Sequence, residues 1–318
     1  MIRFAVIVFS FVILLAALCA MIGPALGHGV LHPMHLNPIR LAEIDEMLQR
    51  TNSTRQDFVV RAPDGIELRG WKVRPASPSG DWVLLFHGVS DNRTGVRGQA
   101  EFLLRHGYSL VMMDARAHGE SGGTMATYGW KERYDTVAIT DALISTEHVR
   151  HLDALGVSMG AAIALQSAAA EPRIEAVAVE DPFANMREIG YDYAGFHFSP
   201  FLGKTLFRLA VIMGMRSIEK EGGFNPDDVS PEKAVASRPF PVLLICATLD
   251  HTIPCRHAEL VYNAAIGPKT LWIVDGAQHA SALGFAPAEY ERRVIFFFES
   301  SVKNIRAKLS ADSLPLGG

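Results

Sequence analysis

Gly156-Val157-Ser158-Met159-Gly160 decides how this chain is read. The pattern is G-x-S-x-G, a nucleophile elbow in which a serine sits on a sharp turn between a buried strand and a helix. Both flanks agree. His151-Leu152-Asp153-Ala154-Leu155 reads as a short strand, and Ala161-Ala162-Ile163-Ala164-Leu165-Gln166-Ser167-Ala168 as a helix of mostly small residues. Glycines on either side let the backbone turn tightly enough to push the hydroxyl out of the sheet. The helix starts beneath the serine, so its N-terminal dipole and free N–H groups favour negative charge there. The pattern occurs again at Gly119-Glu120-Ser121-Gly122-Gly123. That copy follows the strand Ser109-Leu110-Val111-Met112-Met113 only after a polar run, and no apolar helix follows it. Its glycines are expected to shape a loop, which leaves Ser158 as the reactive serine.

Outward from the elbow, apolar strands alternate with helices. Trp82-Val83-Leu84-Leu85-Phe86 and Leu110-Val111-Met112-Met113 precede it; Ala176-Val177-Ala178-Val179-Glu180, Val242-Leu243-Leu244-Ile245-Cys246 and Thr270-Leu271-Trp272-Ile273-Val274 follow it. Helical stretches lie near 98–106, 130–147 and 289–308. Asp57–Arg61 and Ile66–Val73 flank the turn Ala62-Pro63-Asp64-Gly65, a hairpin signal. The expected fold class is α/β, a mostly parallel sheet covered by helices on both faces. The expected organisation is a membrane anchor or signal sequence over 1–27, a linker and short helix over 28–56, and one catalytic domain over 57–310. One stretch breaks the alternation, from about 182 to 240, and is too long for a plain connection. It carries Tyr191, Tyr193, Phe196, Phe198, Phe201, Phe207, Ile212 and Met213. A cap whose apolar residues face the serine is the favoured reading, and a helix dipping into the membrane surface is the rival.

With 318 residues, 49% of them hydrophobic, the chain is long enough for one large α/β domain. A net charge of −4 and a pI near 6.3 give no sign of a nucleic-acid surface. From Phe4 to Leu26 no charged residue occurs, and Arg3 precedes the run. That is longer than the apolar core of a secretory signal and fits an uncleaved spanning helix; cleavage near Ala25-Leu26-Gly27 is the alternative. Arg3 points the amino terminus to the cytoplasm and the catalytic domain out of it. His28, His32 and His35 follow without a carboxylate or cysteine nearby in sequence, so a solvated linker is favoured over a metal site. Three cysteines make no disulfide framework. Cys246 and Cys255 bracket a loop and could pair in an oxidising compartment, with buried free thiols the simpler reading.

A serine hydroxyl is a poor nucleophile until a base removes its proton, so a histidine and an orienting acid are needed. Asp250 follows the strand ending at Cys246, and His279 follows the strand ending at Val274. His251 and His257 sit beside Asp250 or on the next helix, where reaching over the serine is hard. Asp181 also follows a strand and is the rival acid, but Asp250 begins an exposed loop directed at the site. Glu180 and Asp275 are assigned to turns or surface pairs. The oxyanion of a tetrahedral intermediate needs preorganised backbone donors. The N–H groups of Met159, directly after the serine, and of Val89, after Gly88, are the natural pair.

His87-Gly88-Val89-Ser90-Asp91-Asn92-Arg93, Asp114-Ala115-Arg116-Ala117-His118-Gly119-Glu120-Ser121-Gly122, Gly156–Gly160, Leu249-Asp250-His251-Thr252-Ile253-Pro254 and Gly276-Ala277-Gln278-His279 stand in that order. Together they make residues from about Asp57 to Lys308 resemble an α/β-hydrolase of the bacterial esterase and proline-iminopeptidase-like (serine aminopeptidase-type) group. The resemblance implies the chain order serine, acid, histidine, hence Ser158, Asp250 and His279. It also implies that His87 props the oxyanion loop and that Asp114 and Arg116 are structural. Two positions depart from the group: Cys246-Ala247 stands where His-Gly is common, and Ala117 replaces a frequent glycine. The implied activity is hydrolysis of a small-molecule carboxylic ester through an acyl-enzyme, with neither cofactor nor metal. Peptide, amide or thioester cleavage on the same triad is the alternative, and a non-catalytic binding or scaffold protein is the alternative of another class.

Overall fold

The computed structural model of the chain describes residues 2–34, 37–195 and 199–312. His35, Phe196 and Phe198 lie outside the described residues. Helices α1 (Ile2–Leu31) and α2 (Leu41–Arg50) precede the antiparallel pair β1 (Ser53–Arg61) and β2 (Glu67–Pro75). Then come β3 (Asp81–Phe86), α3 (Arg97–Arg105), β4 (Ser109–Met113), α4 (Glu132–Thr146), β5 (His151–Val157), α5 (Met159–Ala170) and β6 (Val177–Glu180). Helices α6 (Met186–Ala194), α7 (Pro200–Lys204), α8 (Arg208–Gly222) and α9 (Pro231–Ser237) fill the expected insertion. The chain closes with β7 (Val242–Ala247), α10 (Arg256–Ala264), β8 (Lys269–Val274), α11 (Ala282–Phe285) and α12 (Pro287–Asp312).

The eight strands form one sheet in the order β1-β2-β4-β3-β5-β6-β7-β8, parallel from β4 onward. This is the α/β-hydrolase fold expected from the sequence. Strands β4, β6 and β7 are buried along their whole length, which requires apolar side chains on both faces. One face packs Val83, Leu85, Leu110, Leu155 and Ile245 against α3 and α12; the other packs Leu84, Val111, Ala154 and Leu244 against α4 and α5. Because the parallel strands point the same way, the loops after β3, β5, β6, β7 and β8 gather at one edge. Ser158, Asp181, Asp250 and His279 all leave the sheet at that edge.

Two boundaries differ from the sequence reading. Residues 28–31 are not linker but the last turn of α1, which continues through Pro24 to Leu31. Its segment Ile13–Leu31 has a mean hydropathy of 1.9, long and apolar enough to cross a membrane. Yet every fourth residue of that segment's second half, Cys19, Gly23, Gly27 and Leu31, is buried. That spacing keeps one face of the helix toward a neighbour. The neighbour is α8. A Cβ at Gly23 would stand 2.6 Å from that of Met213, and one at Gly27 would stand 2.5 Å from the Gly214 carbonyl oxygen. Hydrogen bonds from Ala126 N–H to the Leu31 carbonyl (2.8 Å) and from the Tyr128 hydroxyl to the Val30 carbonyl (3.0 Å) tie the end of α1 to the catalytic edge.

The second difference concerns the insertion. Met213 lies against α1, and Phe201 is 69% exposed. The insertion residues that pack on the rest of the domain instead include Tyr191, Val211 and Met215, which cluster with Ala162 and Ile253. The insertion is fastened at its other end by Asp192, which accepts hydrogen bonds from Arg256 (2.5 Å) and His257 (2.6 Å) on α10.

Candidate active site

Ser158 has φ +56° and ψ −118°, a conformation that costs an L-residue of order 1–3 kcal/mol. The surrounding backbone enforces it. Ser158 N–H donates to the Glu180 carbonyl at 2.9 Å, and its own carbonyl accepts from Ala161 N–H at 3.0 Å. A Cβ at Gly156 would collide with the Gly160 carbonyl, and one at Gly160 with the Phe86 carbonyl. Both glycines are therefore required by close backbone approach, and the turn lifts the serine hydroxyl above the sheet.

The Ser158 hydroxyl lies 2.9 Å from His279 Nε2, and His279 Nδ1 lies 2.6 Å from Asp250 Oδ2. The other Asp250 oxygen accepts N–H groups of Thr252 (2.7 Å) and Ile253 (2.8 Å), which fixes the carboxylate's direction. Asp181 stands further off, 3.7 Å from the same Nδ1. Its two oxygens accept the N–H groups of Ala247 (3.1 Å) and Ala280 (2.8 Å), so it clamps the acid strand to the histidine loop. Burial, then the charges of Glu180 and Asp250, push its pKa up to about 8. Burial alone would lower His279, but the hydrogen bond and charge of Asp250, backed by Asp181 and Glu180, outweigh it and raise the imidazole above its ordinary value.

Gly88 passes beside the serine: a Cβ built on it would be 3.7 Å from the Ser158 Cβ. Val89 follows in that loop, and Met159 opens α5, where first-turn N–H groups have no intrahelical acceptor. The two expected oxyanion donors thus belong to the loop beside the serine and to the first turn of α5. His87 is buried behind them. Ala115 N–H can only donate, so Nε2 accepts it (3.0 Å) while Nδ1–H donates to the Gly88 carbonyl (2.8 Å). Burial lowers the His87 pKa, in keeping with a neutral prop between two loops.

Ser121 lies elsewhere. Its hydroxyl donates to the Asp114 carbonyl (2.8 Å) and accepts from Arg69 N–H (2.9 Å), joining the ends of β2 and β4. Asp114 accepts from Arg93 and Glu120 N–H groups at 2.7 and 2.8 Å, and Arg116 makes a two-pronged pair with Asp135 at 2.6 and 2.8 Å. Ala117 keeps φ +56°, the left-handed conformation that explains the frequent glycine there.

Three features differ from what the sequence reading favoured. Glu180 is not at the surface; it is fully buried and accepts Ala282 N–H at 2.8 Å behind the histidine loop. Its signal is a lone carboxylate ending an otherwise apolar strand. Cys246 and Cys255 are joined by a disulfide with Cα atoms 5.3 Å apart, closing the loop that bears Asp250, where free thiols were favoured. Glu221 meets His28 and His32, the carboxylate companion that no nearby sequence supplied. Asp275 does serve a turn, accepting from the Thr248 hydroxyl at 3.1 Å.

A family model described as "Serine aminopeptidase, S33" matches residues 78–238, just over half of the chain. The chain belongs to this family. The match holds Ser158 and Asp181 but stops before Asp250 and His279, whose assignment to the site rests on the geometry above. This S33 family member is 27% identical to the uncharacterized protein YqkD of Bacillus subtilis over 247 residues, 76% of the chain and 79% of YqkD. Its fold is similar to the Pyrococcus furiosus esterase Pf2001, with TM-score 0.67 and 22% identity over 85% of this chain and 99% of that one. It is similar as well to the Pyrococcus horikoshii acylaminoacyl peptidase, with TM-score 0.59 and 17% identity over 78% of this chain and 41% of that one. An α/β-hydrolase of this family is a hydrolytic enzyme by kinship.

Proposed function

We propose that the protein is a membrane-anchored serine hydrolase that cleaves carboxylic esters through an acyl-enzyme. The observation that carries this reading is the hydrogen-bonded line Ser158–His279–Asp250 above a strained elbow. His279 Nε2 takes the hydroxyl proton as the Ser158 oxygen attacks the ester carbonyl. Asp250 accepts from Nδ1–H, which fixes the productive tautomer and stabilises the imidazolium that forms. The oxyanion is held by Val89 and Met159 N–H groups, assisted by the positive end of α5. His279 then returns its proton to the departing alkoxide, leaving acyl-Ser158. Water enters, gives its proton to His279 and releases the acid by the same steps in reverse.

Anchoring by α1 is supported by its uncharged run and by the exposure of Phe4, Ile7, Phe9, Leu14 and Met21 along it. A disulfide in the acid loop supports a catalytic domain outside the cytoplasm. Amide cleavage is the second reading, favoured by the family description and by the acylaminoacyl peptidase neighbour. A fluorophosphonate probe tests the nucleophile, and matched acyl esters, thioesters and aminoacyl amides test the bond. Labelling of wild type but not of Ser158→Ala, with esters turned over fastest, is the expected result. No labelling of a folded wild-type protein would defeat the hydrolase reading.

A further inference from the structure

We propose that His28, His32 and Glu221 form a binding site for one borderline divalent cation, zinc(II) or a metal of like preference, at the foot of the α1–α8 seam. His28 lies in the last turn of α1 and His32 directly follows it, its N–H donating to the His28 carbonyl at 3.0 Å, so the two side chains share a face. Glu221 reaches them from the last turn of α8. His28 Nδ1 and His32 Nε2 lie 2.8 and 2.7 Å from the same Glu221 Oε1, and all three atoms fall within 4.8 Å of one another.

The decisive contact is on the far side of the His32 ring. Its Nδ1 is 2.6 Å from the Thr124 carbonyl oxygen, which can only accept, so Nδ1 carries the ring proton. In a neutral imidazole Nε2 then points a lone pair at a carboxylate. Two lone pairs facing across 2.7 Å repel unless a cation stands between them. A second proton on His32 would relieve that contact, with His28 Nδ1–H donating to the same oxygen, and a metal ion can take the place of both protons. One metal ion satisfies His28, His32 and Glu221 together. An imidazole gripped through its other N–H by a carbonyl is also the arrangement that metal-bound histidines keep. Two imidazole nitrogens, one carboxylate oxygen and an open side for water suit zinc(II) at about 2.0–2.2 Å. The side chains are partly exposed, and the tight glycine contacts above them hold the two helices at a fixed distance. Among the described residues the other cluster of this kind, Asp181, Asp250 and His279, has its lone pairs engaged by the hydrogen bonds of the candidate active site.

The test uses the full chain in detergent micelles, stripped with a chelator and titrated calorimetrically with zinc chloride. One zinc per chain with micromolar affinity is expected, together with a rise in Tm of about 5 °C at a hundredfold excess over Kd. The isosteric Glu221→Gln should weaken binding by about tenfold or more, and His28→Ala/His32→Ala should abolish it. Circular dichroism and the metal-free Tm of each variant, matched to wild type, show that folding is not the cause. Equal zinc binding by wild type and the double variant would overturn the proposal, as would no binding by wild type up to about 1 mM.

Discussion

His279 Nδ1 is 2.6 Å from Asp250 and 3.7 Å from Asp181, so two acids share the neighbourhood of one imidazole but only one is bonded to it. Asp250→Asn should therefore lower kcat by about 10³-fold or more, because the amide no longer holds the proper tautomer. Asp181→Asn should instead act on stability. Its NH₂ would face a backbone N–H where a carboxylate oxygen now accepts, at a cost of about 1–3 kcal/mol. Steady-state kinetics with melting curves on both variants separate the two; the opposite ranking of kcat would move the acid to Asp181.

The two serines of the duplicated motif are distinguished by their partners. Ser158→Ala and His279→Ala should each cost about 10³-fold or more in kcat. Ser121→Ala should leave probe labelling intact and show a modest loss of stability, since its hydroxyl only joins Asp114 to Arg69. Loss of labelling in a folded Ser121→Ala protein would refute the assignment.

His279 must be neutral to accept the serine proton. Its folded-state value is raised, so activity should be full above that value and lost as pH falls through it. The acid limb of kcat/KM should thus lie above the ordinary imidazole value of about 6.5. In Asp250→Asn the largest raising influence is gone, and the residual activity should have its limb at lower pH. A limb unmoved by that change would mean that another group titrates.

The seam between α1 and α8 is tested by filling it. Gly27→Val would press on the Gly214 carbonyl and the Ser217 Cβ, at 2.5 and 2.9 Å from the new Cβ. Overpacking of this kind costs about 1–3 kcal/mol, so Tm in detergent should fall by several degrees. Retention in carbonate-washed membranes should be unchanged. A variant as stable as wild type would show that the helices do not pack together in solution.

Most of the candidate site was legible because each of its parts is local. Ser158 is announced by glycines that close backbone contacts demand, and Asp250 and His279 by their places after apolar strands. The choice between Asp250 and Asp181 was harder, since both end strands and only the direction of the carboxylate separates them. What escaped were pairings across long sequence separations. Nothing near His28 in sequence foretells Glu221, and nothing near Gly23 foretells Ala210 or Gly214. The insertion's apolar residues were visible, but composition does not say which helix they face. Met213 was expected above the serine and is found against α1.

The glycine seam also bears on how the protein matures. Its member Gly27 belongs to Ala25-Leu26-Gly27, the alternative cleavage site that would start a mature chain at His28. Once α8 has docked there, the scissile bond lies in a continuous helix whose backbone is pressed against another. Cleavage there would have to precede this docking. A preparation begun at His28 would leave Ala210, Met213 and Gly214 with a bare, backbone-rich groove open to solvent. Full-length protein in detergent is the form in which this groove stays filled.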